Sequence, residues 1–303
     1  MMKAFQIQVP GSTANLGPGF DSIGAALNLY LTLNVTSQEH WEFIHIGPNT
    51  PTDTTAQQHL IYQTAHKVAQ SFNKPLTPCK VEMTSELPLA RGLGSSAAAI
   101  VAAIELANQV CDLQLSTEQK LTIASQIEGH PDNATASILG GITISAMVNG
   151  EADTIVMHDV DVKLVVIIPP YELKTADARS VLPESYTRPY AVAASANANM
   201  LVAHLLNKNF EKFGHYMEQD LFHEPYRAEL VADFQSIKEH AKDLGAYGTA
   251  LSGAGPTMIS FVPTDKVDTF IQQIKKQFET YEIVATAIDN KGIQVFEKIN
   301  CTK

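Results

Sequence analysis

The sequence predicts an α+β fold in two units, and three observations carry that expectation. Strand-like and helix-like segments follow one another irregularly rather than as a repeating βαβ array. The tail over 258–298 has the order strand, helix, strand, strand, which resembles part of a split βαβ, ferredoxin-like unit. A glycine-serine stretch at 92–96 joins a strand to an alanine-rich helix. The 303 residues suffice for two modest domains. A weakly marked boundary between 150 and 162 divides them into 1–155 and 156–303.

Taken in order, residues 5–9 alternate as a strand does, and Pro10-Gly11 is expected to end it. A polar, glycine-rich loop follows over 12–24, then strands at 29–35 and 41–46. Over 56–72, Leu60, Ile61, Ala65, Val68, Ala69 and Phe72 recur at helical spacing. A strand at 80–84 passes through Leu87-Pro88 into the glycine stretch, and 95–110 is a helix of small residues. Ser116 with Gln119 predicts a capping box that opens a helix over 117–127, ended by Gly129. Strands are expected at 142–148, 154–158 and 164–168, and helices at 191–206, 210–219 and 228–244. The tail then reads as strand 258–262, helix 266–281, and strands 283–288 and 293–298 around a turn at 290–292.

With 45% hydrophobic and 17% charged residues, the chain has the composition of an ordinary globular protein. A formal charge of −11 argues against nucleic acid, whose phosphates want a basic surface, and is read as aiding solubility. It does not exclude a nucleotide, because a glycine loop and Mg²⁺ reverse the field within one cleft. Cys79, Cys111 and Cys301 are odd in number and widely spaced, which implies free thiols in a reducing cytoplasm. No signal-peptide pattern opens the sequence, and the apolar run 97–104 stops at Glu105, too short for a bilayer. A cytoplasmic protein with no membrane partner is expected.

The stretch Pro88-Leu89-Ala90-Arg91-Gly92-Leu93-Gly94-Ser95-Ser96-Ala97-Ala98 has the composition of a phosphate cradle. Its two glycines let successive N–H groups point inward, and the helix behind adds free N–H groups and the positive end of its dipole. A hydroxyl at the junction can ligate Mg²⁺. A tight turn with serine as N-cap would use the same residues, so composition alone leaves both readings open. The Gly-Lys of a Walker A loop is missing, as is the third glycine of a dinucleotide fingerprint. The protein-kinase signatures His-Arg-Asp and Asp-Phe-Gly are missing too.

That stretch resembles the second signature motif of the GHMP kinases. Pro10-Gly11-Ser12-Thr13-Ala14-Asn15-Leu16-Gly17-Pro18-Gly19-Phe20-Asp21 resembles the first, and Leu251-Ser252-Gly253-Ala254-Gly255-Pro256 the third. The three stand in the family's order and span most of the chain. The resemblance implies a ribosomal protein S5 domain 2-like N-terminal domain and a ferredoxin-like C-terminal domain. It implies ATP held by residues 88–98 with Gly253 and Gly255, and Mg²⁺ held by Ser96 (Ser95 being the nearest rival) and Glu128.

Three further segments resemble the homoserine-kinase branch: Glu128-Gly129-His130-Pro131-Asp132-Asn133, the run 174–183, and His223-Glu224-Pro225-Tyr226-Arg227. They imply phosphorylation of the side-chain hydroxyl of L-homoserine to O-phospho-L-homoserine, on the route to threonine. The chemistry agrees. The chain has only four arginines, Arg91, Arg179, Arg188 and Arg227, and two fall in these segments. Arg179 and Arg227 can fork an amino-acid carboxylate, while Asp21 and Asn15 offer oxygen to its ammonium. His130, Asn133 and Thr175 would border the acceptor, or serve as structural hydrogen-bonders. Beside Glu128, either Asp132 acts as base, or transfer is direct with Asn133 orienting the hydroxyl. His59 stands where relatives carry asparagine beside the adenine pocket, which leaves nucleotide preference open. A mevalonate-pathway or sugar kinase, or a non-catalytic ligand sensor of this fold, are the rival readings. The resemblance also allows a homodimer.

Overall fold

The computed structural model describes residues 3–50, 55–158, 160 and 162–297. Cys301, read above as a free thiol, lies outside them, as does Lys298 at the end of the last expected strand. Strand β1 (Phe5–Ala14) runs on past Pro10-Gly11, contrary to the sequence expectation. Its register against β2 (Ile23–Ser37) shifts between those two residues, an irregularity at which the ladder needs no N–H from proline. A Cβ on Gly11 would come within 2.3 Å of Leu87 Cδ2, so glycine there lets the Leu87 side chain pack against β1. The expected loop over 12–24 therefore shrinks to 15–22. Asn15 and Asp21 flank it in left-handed conformations, φ 72° and 52°, which their short polar side chains tolerate.

The first sheet has the order β11 (Gln294–Glu297), β1, β2, β4 (Cys79–Ser85), β3 (Glu42–Ile46). β5 (Ile142–Val148) pairs with the opening of β2, and β6 (Glu151–Met157) with β5. Ladders are antiparallel except β3 on β4, whose crossover carries α1 (Leu60–Ser71). α1, α2 (Ser95–Cys111), α3 (Thr117–Glu128) and α4 (Asp132–Leu139) pack on this sheet around Ile7, Leu33, Val81, Ala102 and Leu106. The Ser116–Gln119 capping box is present, and Gly129 ends α3 at φ 91°.

The second sheet has the order β10 (Glu282–Thr286), β7 (Lys163–Ile168), β9 (Met258–Val262), β8 (Gly248–Leu251), all antiparallel. β7 reads as an unbroken apolar run because both its faces are buried. Leu164, Val166 and Ile168 meet Phe213 and Met217 of α7 (Phe210–Met217), and Leu201 and Leu205 of α6 (Arg188–Leu206). Val165 and Ile167 face α9 (Phe234–Asp243) and α10 (Val267–Gln277). The first of these apolar layers also takes in Leu16, Ile23, Leu27 and Leu93, so the two sheets share it.

The last strand departs from the expected tail. β11 leaves the ferredoxin-like unit and pairs with β1, Gln8 opposite Gln294, because Asp289 and Ile288 anchor the preceding turn to β2. β8 takes the vacated place in the second sheet. Among the described residues no helix is long and apolar enough to cross a membrane.

Candidate active site

A cleft of about 310 Å³ opens where the three glycine-containing motifs meet. On one wall α2 begins at Gly94, φ 67°, with no side chain capping it, so its first N–H groups are available to a ligand. Gly92 (φ 80°) and Gly94 are sterically required. A Cβ on Gly92 would lie 2.3 Å from Ser252 O, and one on Gly94 2.3 Å from Ser12 Oγ. Backbone bonds knit the motifs together, Ser12 N to Leu93 O at 3.1 Å and Gly253 N to Ala14 O at 3.1 Å.

Of the residues expected to bind ATP, Ala90, Gly92, Gly94, Ser95, Ser96 and Gly253 line the cleft. Leu89 lines a neighbouring apolar pocket of about 200 Å³ with His59, Leu60 and Met83, and Ser95 and Ser96 border both. Pro88, Arg91, Leu93, Ala97, Ala98 and Gly255 are not on the cleft wall. Leu93, Ala97 and Ala98 are buried. Arg91 turns its guanidinium to the Pro169 carbonyl at the end of β7, so it straps loop to sheet. Gly255 supplies a left-handed turn behind Gly253.

The opposite wall carries the expected acceptor residues. Short α5 (Thr175–Ser180) begins at Thr175 and holds Arg179, whose guanidinium grips Asp21 through two bonds of 2.8 and 3.1 Å. Arg227 ends the single-turn α8 (Glu224–Arg227) and is almost wholly buried, yet reaches the same cleft. Burial, with Arg179 nearby, pushes its guanidinium down to about 10, which leaves it charged at neutral pH. Asn15 Nδ2 donates to Gly253 O and its Oδ1 accepts from Asp21 N, which fixes the loop carrying Asp21.

At the floor, α4 opens with Asp132 and Asn133, both buried. Asp132 Oδ1 accepts from Asn133 N at 2.8 Å and pairs with His130 Nδ1. Burial by itself would lower the His130 pKa, but the bond to Asp132 and the charges of Asp132, Asp21 and Glu128 outweigh it and raise it. Asn133 Nδ2 donates to Ser12 Oγ at 3.0 Å. Glu128 ends α3 with Oε2 3.4 Å from Ser96 Oγ. Its pKa is raised, chiefly by burial and also by Asp132, against the opposing pull of His130, Ser96 and Arg179. Asp21, His130 and Asp132 bring three ligand-type atoms within 4.8 Å of one another, but Asp21 is engaged by Arg179 and the other two pair together.

All the residues expected to touch the acceptor thus meet in one cleft. The sequence reading missed Leu173, Lys174 and Ala254 on its wall. Lys174 lies in a segment singled out above and had only its place beside Thr175 to mark it.

The comparisons with known proteins place the chain in a family. The GHMP kinases N terminal domain model matches residues 59–141, and the GHMP kinases C terminal model matches 201–280. A homoserine kinase of Oceanobacillus iheyensis is 48% identical, over 98% of this chain and 100% of its own length. One from Bacillus licheniformis is also 48% identical, over 97% and 96%. The crystal structure of homoserine kinase from Cytophaga hutchinsonii superposes with a TM-score of 0.85 at 26% identity, covering 98% of each chain. Two-domain architecture, the meeting of three glycine motifs and near-full-length identity therefore converge: the chain belongs to the homoserine kinases of the GHMP kinase family.

Proposed function

We propose that this chain transfers the γ-phosphoryl group of ATP to the side-chain hydroxyl of L-homoserine. One observation carries the choice of acceptor. Asp21 and Arg179 hold each other across the cleft, with Arg227 beside them. A zwitterion can divide that pair, giving its ammonium to Asp21 and its carboxylate to the guanidinium forks. A neutral sugar carries no charges with which to divide that pair, and would leave Arg227 without a carboxylate.

The donor side follows from the loop. First-turn N–H groups of α2 and the loop 92–96 cradle the phosphates, and the apolar pocket beside Leu89 and His59 takes the base. His59 is committed to structure, since its Nδ1 accepts from Ile61 N at 3.2 Å and its ring stacks on Phe43. Ser96 and Glu128 fit a divalent cation, since their hard oxygens lie 3.4 Å apart beside the phosphate cradle. Mg²⁺ held there supplies charge neutralisation for the phosphate oxygens.

On the acceptor side, the bond from Asn133 Nδ2 to Ser12 leaves its Oδ1 to accept from the homoserine hydroxyl. The hydroxyl attacks the γ-phosphorus in line, the bond to ADP breaks, and the hydroxyl proton leaves on a phosphoryl oxygen. We assign Asp132 to holding His130 and the start of α4, the two contacts its Oδ1 makes, rather than to taking that proton. Asp132→Asn should therefore lower kcat by less than about ten-fold with the pH–rate profile unchanged in shape. A general base would contribute roughly 10²–10⁴-fold, so a loss of that size with a missing acid limb would make Asp132 the base.

The activity itself is tested by ADP release from Mg-ATP with homoserine, mevalonate or galactose. Release with homoserine only, and none without Mg²⁺, is expected. Release with another alcohol alone would point to a rival GHMP kinase, and release with none to a ligand sensor.

A further inference from the structure

Phe20 and His223 have no part in the chemistry above, yet Phe20 lies under both arginines of the acceptor site and His223 touches one of them. His223 is fully buried. Its Nε2 is 3.0 Å from Gly17 O, and its Nδ1 is 3.2 Å from Arg227 Nη1. A carbonyl can only accept and a guanidinium can only donate. One state of the ring satisfies both, the neutral imidazole with its proton on Nε2 and a bare Nδ1. Asp220 fixes the turn that carries it, accepting from the backbone N–H of Phe222, His223 and Glu224 at 2.9, 2.9 and 2.7 Å.

Phe20 stacks on this imidazole at 5.3 Å, interplanar angle 25°. The guanidinium carbons of Arg227 and Arg179 lie 5.4 and 5.9 Å from the centre of the same ring. Arg227 also donates from Nε to Ala178 O and from Nη1 to Gly253 O, each at 3.1 Å. Its Nη2 is then the donor edge left for a carboxylate. Two like charges are thus held against the Phe20 ring, whose quadrupole offsets part of their repulsion.

We infer that His223 is a positioning residue of the acceptor site: by offering its bare Nδ1 to Arg227, with Phe20 stacked on its ring, it sets where the free Nη2 of Arg227 stands against Arg179 and Asp21 for one amino-acid substrate. This rests on the reading of the cleft as a homoserine site. A packing role alone would need the volume of the ring and not its bare nitrogen.

Two near-isosteric variants separate these roles in the full chain. His223→Asn places an amide oxygen near the position of Nδ1 and keeps the acceptor for Arg227. His223→Gln places an amide nitrogen near the position of Nε2, keeping the bond to Gly17 O and losing that acceptor. His223→Gln should raise the homoserine KM about ten-fold or more, with kcat and the ATP KM within about two-fold, because a hydrogen bond to a charged donor is lost. His223→Asn should stay within about three-fold for all three constants. Phe20→Leu, at a half-buried position with less risk to folding, should also raise the homoserine KM selectively. Equal kinetics in both His223 variants, or an unchanged homoserine KM in Phe20→Leu, would overturn the positioning role. Unmutated protein assayed alongside keeps the two questions apart: if it turns over no homoserine, the proposed function falls and takes this inference with it.

Discussion

Replacing Arg227 by methionine is expected to raise the homoserine KM by about 10³-fold while the ATP KM stays within about three-fold. Methionine keeps an unbranched stem in the channel between α5 and the loop at 251–256, so the change removes the fork more than the packing. Truncating one partner of a buried, hydrogen-bonded charge pair costs about 2–5 kcal/mol, and about 4 kcal/mol is a thousand-fold in affinity. The fold loses less. Gly253 O keeps its bond from Asn15 Nδ2 at 2.9 Å, while Ala178 O and His223 Nδ1 each lose the donor that Arg227 supplied. Two lost hydrogen bonds cost roughly 2 kcal/mol net, and Tm should fall by about 4–8 °C. Arg227→Lys keeps the charge but not the planar fork and should lie between, near 10²-fold. Arg179 makes a useful contrast. Its side chain is 40% exposed and water screens its pairing with Asp21, so its loss should matter less. Steady-state kinetics with each substrate varied in turn reads all of this. An unchanged homoserine KM in Arg227→Met would remove that residue from the acceptor site.

What the sequence made legible divides along physical lines. The glycine motifs could be read because their chemistry is local: left-handed turns, small side chains and a helix start all fall within a dozen residues. Arg179 and Arg227 stood out because guanidinium is scarce in this chain and a carboxylate needs it. The Ser116–Gln119 capping box was readable for the same local reason. Elements set by distant contacts were not. β8 is just four residues, Gly248–Leu251, flanked by glycine turns, and only pairing with β9 makes it a strand. α4 and α5 have eight and six residues, too few for a helical period to show. Proline-glycine in β1 signalled a stop because nothing local says that β2 will accept a register shift there. Arg91 shows the limit of motif reasoning. Its position fits a phosphate contact, but the nearby end of β7 offers the Pro169 carbonyl, and the guanidinium goes there. His223 was hidden for the opposite reason, since its two partners lie 206 and 4 residues away and only one of them is in its own segment.

The second large effect belongs to Gly92, where Gly92→Ala should cut kcat/KM for ATP by roughly 10²–10³-fold. Gly92 has φ 80°, where an L side chain costs about 1–2 kcal/mol. A Cβ would also stand 2.3 Å from Ser252 O and 2.8 Å from Gly255 O. Both obstacles are backbone atoms, so no side chain can rotate out of the way. One of the two glycine loops must retreat, which breaks the 2.6 Å bond from Ser252 Oγ to Gly92 O. Overpacking of this kind costs about 1–3 kcal/mol, giving about 2–5 kcal/mol in all and a Tm lowered by about 5–15 °C. Misplacing the phosphate-binding N–H groups by about 1 Å costs on the order of 10²-fold in rate, and loss of the facing loop adds to it. Gly150→Ala is the control for strain alone. That glycine has φ 85°, but a Cβ there meets nothing within 4 Å. It should lose about 1–2 kcal/mol of stability and none of the activity. If Gly92→Ala matched Gly150→Ala in both readouts, the close contact of the two loops would have no part in holding ATP, and the phosphates would have to be bound by α2 alone.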